Sequence, residues 1–315
     1  MAKQSGLGDN FYIDGYDLSG DVSSLDMLGA PMTTIDVTPI KVGANARVGG
    51  LRGGLLQFTS FWETTHGVTN PGVPGSGTPL VSTYNFPVQV TVIGGTGTNV
   101  SINGTPQGSF DGTYTLPALG TIILTYSAAP TWNWFALGAE HEALANLPRG
   151  SRLATYFRGT AIGNPVFCIQ GKQLNYDPTR DNVGNLTVKV EIDGDFYGSE
   201  WGQMMTAGLR TDTTATTGPF FDGGAATAFG AAAYLQLVEF VGTSVDVTVT
   251  HATTSGGSYT TLMDFGAQTA VGAFRQSVSN VTTVNEFIKI ATTGTFSLAV
   301  FAVALVRYPV AGVVF

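Results

Sequence analysis

Between Leu18 and Trp62 the chain reads LSGDVSSLDMLGAPMTTIDVTPIKVGANARVGGLRGGLLQFTSFW, and this stretch limits the fold more than any other. Leu55, Gln57 and Thr59 alternate with Leu56, Phe58 and Ser60, the period of a strand with two different faces. Upstream the same stretch holds a first strand, a turn and a second strand ending in Asp36-Val37-Thr38. Separating that strand from Leu55 is a long polar loop, Pro39 to Gly54, rich in Gly and small residues. It carries Lys41, Arg47 and Arg52 and closes on Gly50-Leu51-Arg52-Gly53-Gly54. A loop this long with no apolar period of its own is either functional or disordered. We read it as an assembly arm that orders against a neighbouring subunit.

The period-2 signal recurs downstream. Leu186, Val188, Val190 and Ile192 face one way and Thr187, Lys189, Glu191 and Asp193 the other, the clearest half-buried strand in the sequence. Leu80 to Trp134 reads as a small all-β insertion, in which Val88, Val90 and Val92 alternate with Gln89 and Thr91, and Asn103-Gly104 signals a hairpin. Trp132 and Trp134 share one strand face there, where Tyr114 and Tyr126 could join them. Such a platform can grip sugar rings. Yet a unit of roughly 55 residues needs large side chains for its own core, so the core reading is favoured over a glycan platform. From Ala225 to Val306, alternating strands without helices argue for a β-sandwich. Leu137 to Leu147 is the best helix, with Leu137, Leu144 and Leu147 at helical spacing and Pro148 as its stop.

These segments imply a mostly β chain with discontinuous organisation. Residues 1–63 and 138–207 form one domain, and 64–137 a linker plus the inserted module. Residues 208–224 read as a second linker and 225–315 as a C-terminal sandwich. The first 17 residues read as an extended arm whose Phe11, Tyr12, Ile13 and Tyr16 dock on their own domain or a neighbour. The first linker, THGVTNPGVPGSGTP, has no means of burying itself. The apolar end, Arg307 to Phe315, is expected to pair with this or another subunit.

Composition narrows function. Charged residues are 11% of the chain, well below the usual quarter, and there are 42 glycines. Low charge implies surface hidden in contacts with other subunits. A formal charge of −8 argues against holding nucleic acid by bulk attraction, although an acidic wall suits a polymer that must slide past. The single cysteine, Cys168, excludes an internal disulfide and a Cys-based zinc site, and its setting Val166-Phe167-Cys168-Ile169 is that of a buried apolar residue. No secretory or membrane segment is expected, because the most apolar run, Phe296 to Val306, is too short and alternates. Four Asn-x-Ser/Thr matches read as turns.

No catalytic constellation emerges. His141-Glu142 lacks a second histidine four residues after the first, since position 145 is Ala, and the zinc protease reading fails. His66 and His251 lie in other regions. There is no nucleophile elbow and no phosphate loop, and Gly94-Gly95-Thr96-Gly97 does not open a helix. Asp177, Asp181, Asp193 and Asp195 miss the spacing of a calcium loop and are better explained by turns and strand edges. The expectation is a non-enzyme without a cofactor or metal.

The combination of Ile35-Asp36-Val37-Thr38, a basic loop, the Gly-Leu-Arg-Gly-Gly turn and an alternating strand resembles tail tube proteins (major tail proteins) of long-tailed bacteriophages. The opening MAKQSGLGDNFYIDGYDLSGDVSSLD looks like the start of tail proteins from phages of actinobacteria. Gly171-Lys-Gln-Leu-Asn-Tyr-Asp177 followed by Leu186-Thr-Val-Lys-Val190 resembles the second half of the tail tube domain. The inserted unit resembles small β modules of phage structural proteins, and the last unit resembles jelly-roll modules related to carbohydrate-binding domains.

The resemblance implies a tail-tube-type β-barrel or sandwich with one short helix. It also implies a virion subunit, assembled in the host cytoplasm, whose copies join sheets edge to edge in hexameric rings that stack into a tube. Partners would be further copies of the chain, the tape measure, the tail terminator and the tail tip. DNA would pass through without specific binding, and no membrane is involved. On this reading Lys41, Arg47, Leu51 and Arg52 make the contact between rings. Glu191 and Asp193 face the bore if their side of the sheet lines it, and the added modules project outward. The alternative is a minor tail or capsid-decorating protein that holds host glycans through its β-sandwiches, with Trp132 and Trp134 as the platform.

Overall fold

The computed structural model describes residues 8–29, 32–36, 47–62, 68–84, 88–108, 110–117, 119–136, 143–145 and 151–308. The first part of the chain forms β1 (Asn10–Ile13), β2 (Tyr16–Asp17), β3 (Val22–Gly29), β4 (Met32–Asp36), β5 (Arg47–Arg52) and β6 (Leu55–Phe61). The insertion contains β7 (Pro79–Val81), β8 (Val88–Ile93), β9 (Thr96–Ile102), β10 (Thr105–Pro106), β11 (Gly112–Leu116), β12 (Thr121–Ala128) and β13 (Thr131–Ala136). There follow β14 (Arg152–Phe157), β15 (Pro165–Gln173), β16 (Asp177–Arg180), β17 (Leu186–Met204), β18 (Arg210–Asp212) and β19 (Thr217–Asp222). The last are β20 (Ala231–Ala252), β21 (Thr260–Gln268), β22 (Gly272–Ser277) and β23 (Phe287–Arg307). The fold is mostly β and built from packed sheets, and among the described residues no sheet closes into a barrel. Of the expected helix, Ala143 and Leu144 are helical and buried; the rest, apart from Ala145, lies outside the described residues.

β17 organises the first half. Its early residues pair with β6 on one side and β16 on the other, and β3 continues the sheet beyond β6. Its later residues pair with β15, which leads on to β14, β1 and β2. The strand changes neighbours at a bulge: Gly194 faces Gly171 and Ser199 faces Ile169, so Asp195 to Gly198 stand opposite Gln170 alone. Glycine makes this crossing possible. A Cβ on Gly54 would lie 2.5 Å from the Ser199 nitrogen, and one on Gly194 would lie 2.9 Å from the Gly54 Cα.

Alternation decides what is buried. Val188, Val190 and Ile192 pack with Leu56, Phe58, Phe11 and Phe167 in one core, each large side chain contributing about 1.5–3 kcal/mol. β3 joins that core by a different spacing. Register shifts between Val22 and Ser24 and between Leu25 and Met27 bring Val22, Leu25 and Leu28, three residues apart, against it. The N-terminal aromatics dock on their own domain: β1 pairs with β14, and Phe11, Tyr12 and Ile13 are buried.

The inserted module is a sandwich of the sheets β10-β9-β12-β7 and β11-β8-β13. Trp132 and Trp134 meet edge to face at 5.3 Å, inside a core with Val90, Leu116, Ile122 and Leu124. The segment from Val68, expected to stay unburied, is instead bound to this module. Trp132 Nε1 donates to the Pro71 carbonyl (2.8 Å), the Tyr126 hydroxyl to the Pro74 carbonyl (2.6 Å), and the Trp134 amide to Asn70 Oδ1 (2.6 Å). Backbone carbonyls without a ladder partner are satisfied by aromatic donors. Tyr16 packs against both the module and the first core.

In the last unit β20 and β23 pair along nearly their whole length, Ala231 against Arg307 through Ala252 against Phe287. Gly242 lies at the register shifts of this pair and allows close backbone approach there, since a Cβ on it would lie 2.5 Å from the Phe296 Cα; Gly294 does the same, at 2.4 Å from the Ser244 carbonyl oxygen. β22 flanks the first half of β20 and β21 the second. Residues 208–224 hold β18 and β19, both paired with β23, so strand replaces what read as linker. The reason is a buried clip. Arg210 grips Asp212 with two bonds (2.9 and 2.7 Å), donates to the Ile290 and Thr216 carbonyls, and shares Asp212 with Thr292. Gln203 and Met204 of β17 pair with Leu305 and Ala304, so one hydrogen-bonded sheet runs from the first half of the chain into the last unit.

Candidate functional site

β3 and β6 pair as far as Gly29 and Leu55, and the same hairpin continues as β4 and β5, with Met32 facing Arg52 and Asp36 facing Arg47. Inside the domain β6 has β17 on its other side; β4 and β5 have only each other among the described residues. The expected loop from Pro39 to Gly54 is therefore corrected. From Arg47 to Arg52 it is strand, because Met32–Asp36 supplies its ladder, and these two segments form a two-stranded ribbon; residues 37–46 lie outside the described residues. Arg47, Leu51 and Arg52 lie in β5, while Lys41 lies outside the described residues. A lone two-stranded hairpin is marginally stable in water at best.

At the root of the ribbon the sheet order is β3-β6-β17-β16, with each neighbouring pair antiparallel. β3 pairs only with β6 and β16 only with β17 among the described residues, so both edges are open. Partners facing each other across strands share a face. On the face away from the core this gives rows: Met27, Gln57 and Glu191; Leu55, Asp193 and Lys172; Thr59, Lys189 and Asp177. Leu174 adjoins the first row, its amide donating to the Glu191 carbonyl (2.8 Å). Glu191 is half-buried and accepts from Gln57 Nε2 (2.6 Å), whereas Asp193 is exposed. Thr59 and Ser24 donate to Asp26 (3.2 and 3.0 Å). Asp26, Asp177, Glu191 and Asp193 outnumber Lys172 and Lys189 here, so the face is acidic. Met27 and Leu174 are exposed apolar residues near its two opposite edges.

The bulge carries Asp195, whose carboxylate accepts from the Ser151 hydroxyl and lies 3.9 Å from Lys172 Nζ. The Ser151 bond is the main reason this carboxyl sits below its ordinary range. Tyr197, also in the bulge, lies under the Arg275 guanidinium at 3.5 Å.

Where β17 enters the last unit, a buried polar cluster appears that no local sequence pattern marked. Arg275 donates to the Tyr234 hydroxyl (3.0 Å) and to Glu200 (3.4 Å), and Tyr308 donates to Glu200 (3.1 Å). Burial, then the Glu200 charge, pushes the Tyr234 hydroxyl well up, and burial pushes up the Cys168 thiol. The cluster ties β17, β20 and β22 together through Glu200, Tyr234 and Arg275.

The remaining candidates separate. Trp132 and Trp134 are 6% and 4% exposed. The glycan platform is thus corrected: their faces are spent on the module core and on each other. His251 is half-buried, and its Nδ1 accepts the Asn285 amide (3.1 Å); His66 and His141 lie outside the described residues. Among the described residues no group of three or more His, Cys, Asp or Glu is placed to hold a metal, and no helix is long and apolar enough to cross a membrane.

No protein family and no curated protein matches the chain. Among solved structures, the SPP1 Dit (gp 19.1) protein, described as a paradigm of the hub adsorption apparatus in phages infecting Gram-positive bacteria, aligns with TM-score 0.28 and 8% identity. That alignment covers 95% of this chain and 99% of that one. A structure of infectious bursal disease virus, Gx strain, aligns with TM-score 0.16 and 10% identity over 96% of this chain and 72% of that one. At these scores likeness fixes neither fold nor function.

Proposed function

We propose that the chain is a structural protein of a phage virion, a tail tube subunit that assembles with copies of itself. The supporting observation is the β3-β6-β17-β16 sheet, whose edge strands have no outer partner among the described residues and which is prolonged at one end by the β4–β5 ribbon. Open edges invite pairing, and a closed ring is the arrangement that uses every one of them. Four strands alternating in direction leave β3 and β16 running opposite ways. Joining β16 of one copy to β3 of the next therefore repeats the antiparallel pairing found inside each copy. The joint would also bring Met27 and Leu174, exposed near opposite edges, toward cover. The acidic middle of the face would then line the bore, where carboxylates repel DNA and keep it moving.

The ribbon gives the second direction of growth. A heterologous contact between rings propagates a filament, and a hairpin too weak to stand alone gains its order from the neighbour it reaches. The tape measure, terminator and tip are the partners this role carries with it. Sedimentation velocity of the purified protein and of Met27→Lys and Leu174→Lys variants tests the lateral joint. Closed oligomers for the parent and monomers for both variants are expected. A monomeric parent, or variants with unchanged oligomers, would contradict it and favour a decorating protein.

A further inference from the structure

The ribbon leaves one end of the four-stranded sheet, beside Gly29 and Leu55. Along β6 the other end is reached at Phe61, which faces Thr187, about 20 Å away at the rise of a strand. That far end is capped by the turn from Asp181 to Asn185 joining β16 to β17. The turn is held with unusual thoroughness. One Asp181 carboxylate oxygen accepts the amides of Val183 (2.9 Å), Gly184 (2.7 Å) and Asn185 (2.8 Å), and the other accepts Asn185 Nδ2 (2.8 Å). The Asp181 amide donates back to the Asn185 carbonyl (3.0 Å), and Gly184 takes φ +101°, which a side chain would strain. Burial alone would raise the Asp181 carboxyl, but these bonds outweigh it and keep it ionised below its ordinary range. What this rigid turn presents is Val183, 80% exposed, with Phe61 51% exposed at the same end.

We infer that the Asp181–Asn185 turn is the axial docking knob of the protein, and that its occupant is the arm-bearing end of a second copy; this rests on the tube reading above. A heterologous stack needs two different surfaces at opposite poles of one subunit. The ribbon is at one pole, and the pre-organised apolar tip is at the other. A side chain already fixed in its presented position loses little entropy on contact, which is what makes a small knob an anchor. The Asp181 carboxylate is spent inside the turn, so what the tip offers a neighbour is the apolar pair Val183 and Phe61.

The test compares the parent with Val183→Asp and Asp181→Ala, scoring single rings and stacks by negative-stain electron microscopy and secondary structure by circular dichroism. Val183→Asp changes an exposed position and keeps the turn bonds, so folding and ring formation are expected to persist while stacked rings fall about tenfold or more. Asp181→Ala loosens the turn and is expected to weaken stacking in the same direction. Stacks at the parental level in Val183→Asp would overturn the knob while leaving the ring intact. A parent that forms neither rings nor stacks would overturn the tube reading and the knob together.

Discussion

The Tyr234 hydroxyl donates to the Glu200 carboxylate, tying β20 of the last unit to β17 of the first across 34 residues of chain. Arg275, with its side chain 6% exposed, completes the knot by bonding both groups. Removing Glu200 would strand a buried guanidinium, which costs about 3–5 kcal/mol. Tyr234→Phe removes one hydroxyl and should cost about 1–3 kcal/mol. Denaturant unfolding of Glu200→Ala and Tyr234→Phe checks the order. Equal effects would mean that the carboxylate is no keystone.

Gly54→Ala is expected to destabilise the protein by about 1–3 kcal/mol, the range for forcing extra atoms into close packing. Its Cβ would press on backbone of the β17 bulge, 2.5 Å from Ser199 N, where no side chain can swing away. Thermal unfolding against a Gly256→Ala control, a position with open space around it, separates packing from backbone entropy. Gly256→Ala should be near neutral.

Trp134→Ala is expected to cost about 3–5 kcal/mol, as for a large aromatic lost from a core. Because Trp134 is buried, the intrinsic fluorescence of the parent should not respond to added oligosaccharides through this residue. A sugar-dependent shift abolished in Trp134→Phe would restore the platform.

Asp246 on β20 is pushed up to about 6, first by burial and then by the hydrogen bond and charge of Asp264 on β21. A carboxyl whose folded pKa exceeds its unfolded 3.8 favours the protonated fold. Its contribution is complete below about pH 4 and is lost as pH rises through about 6. Since the pair is largely solvated, the difference should be about 1 kcal/mol after screening. The parent minus Asp246→Asn, measured by urea unfolding at pH 4, 5, 6 and 7, should show that decline. A flat difference would contradict it.

Much of this fold is legible from alternation. β6 and the first half of β17 keep a strict period of two because each has one face on the core, and their buried residues are those the pattern names. β3 is read as a strand, but its buried face is not marked by a period of two, since two bulges change its apolar spacing to three. β5 is masked by glycines, and only pairing with β4 makes it a strand. β20 and β23 run on through Gly242 and Gly294, which interrupt the apolar alternation, so their full length is not legible from the pattern. The arm was visible as a basic, glycine-rich insertion. The edges beside it were not, because an open edge is a property of what fails to pair. Glu200 and Arg275 lie 75 residues apart, so their meeting depends on the whole topology.

The central claim is self-assembly through the ribbon and the open sheet. Negative-stain electron microscopy of the intact protein, beside an Arg47→Glu, Arg52→Glu variant of β5, tests it most directly. Stacked rings or tubes from the intact chain, reduced to single rings in the variant, are the predicted result. Monomers from both, or tubes of equal length from both, would contradict it.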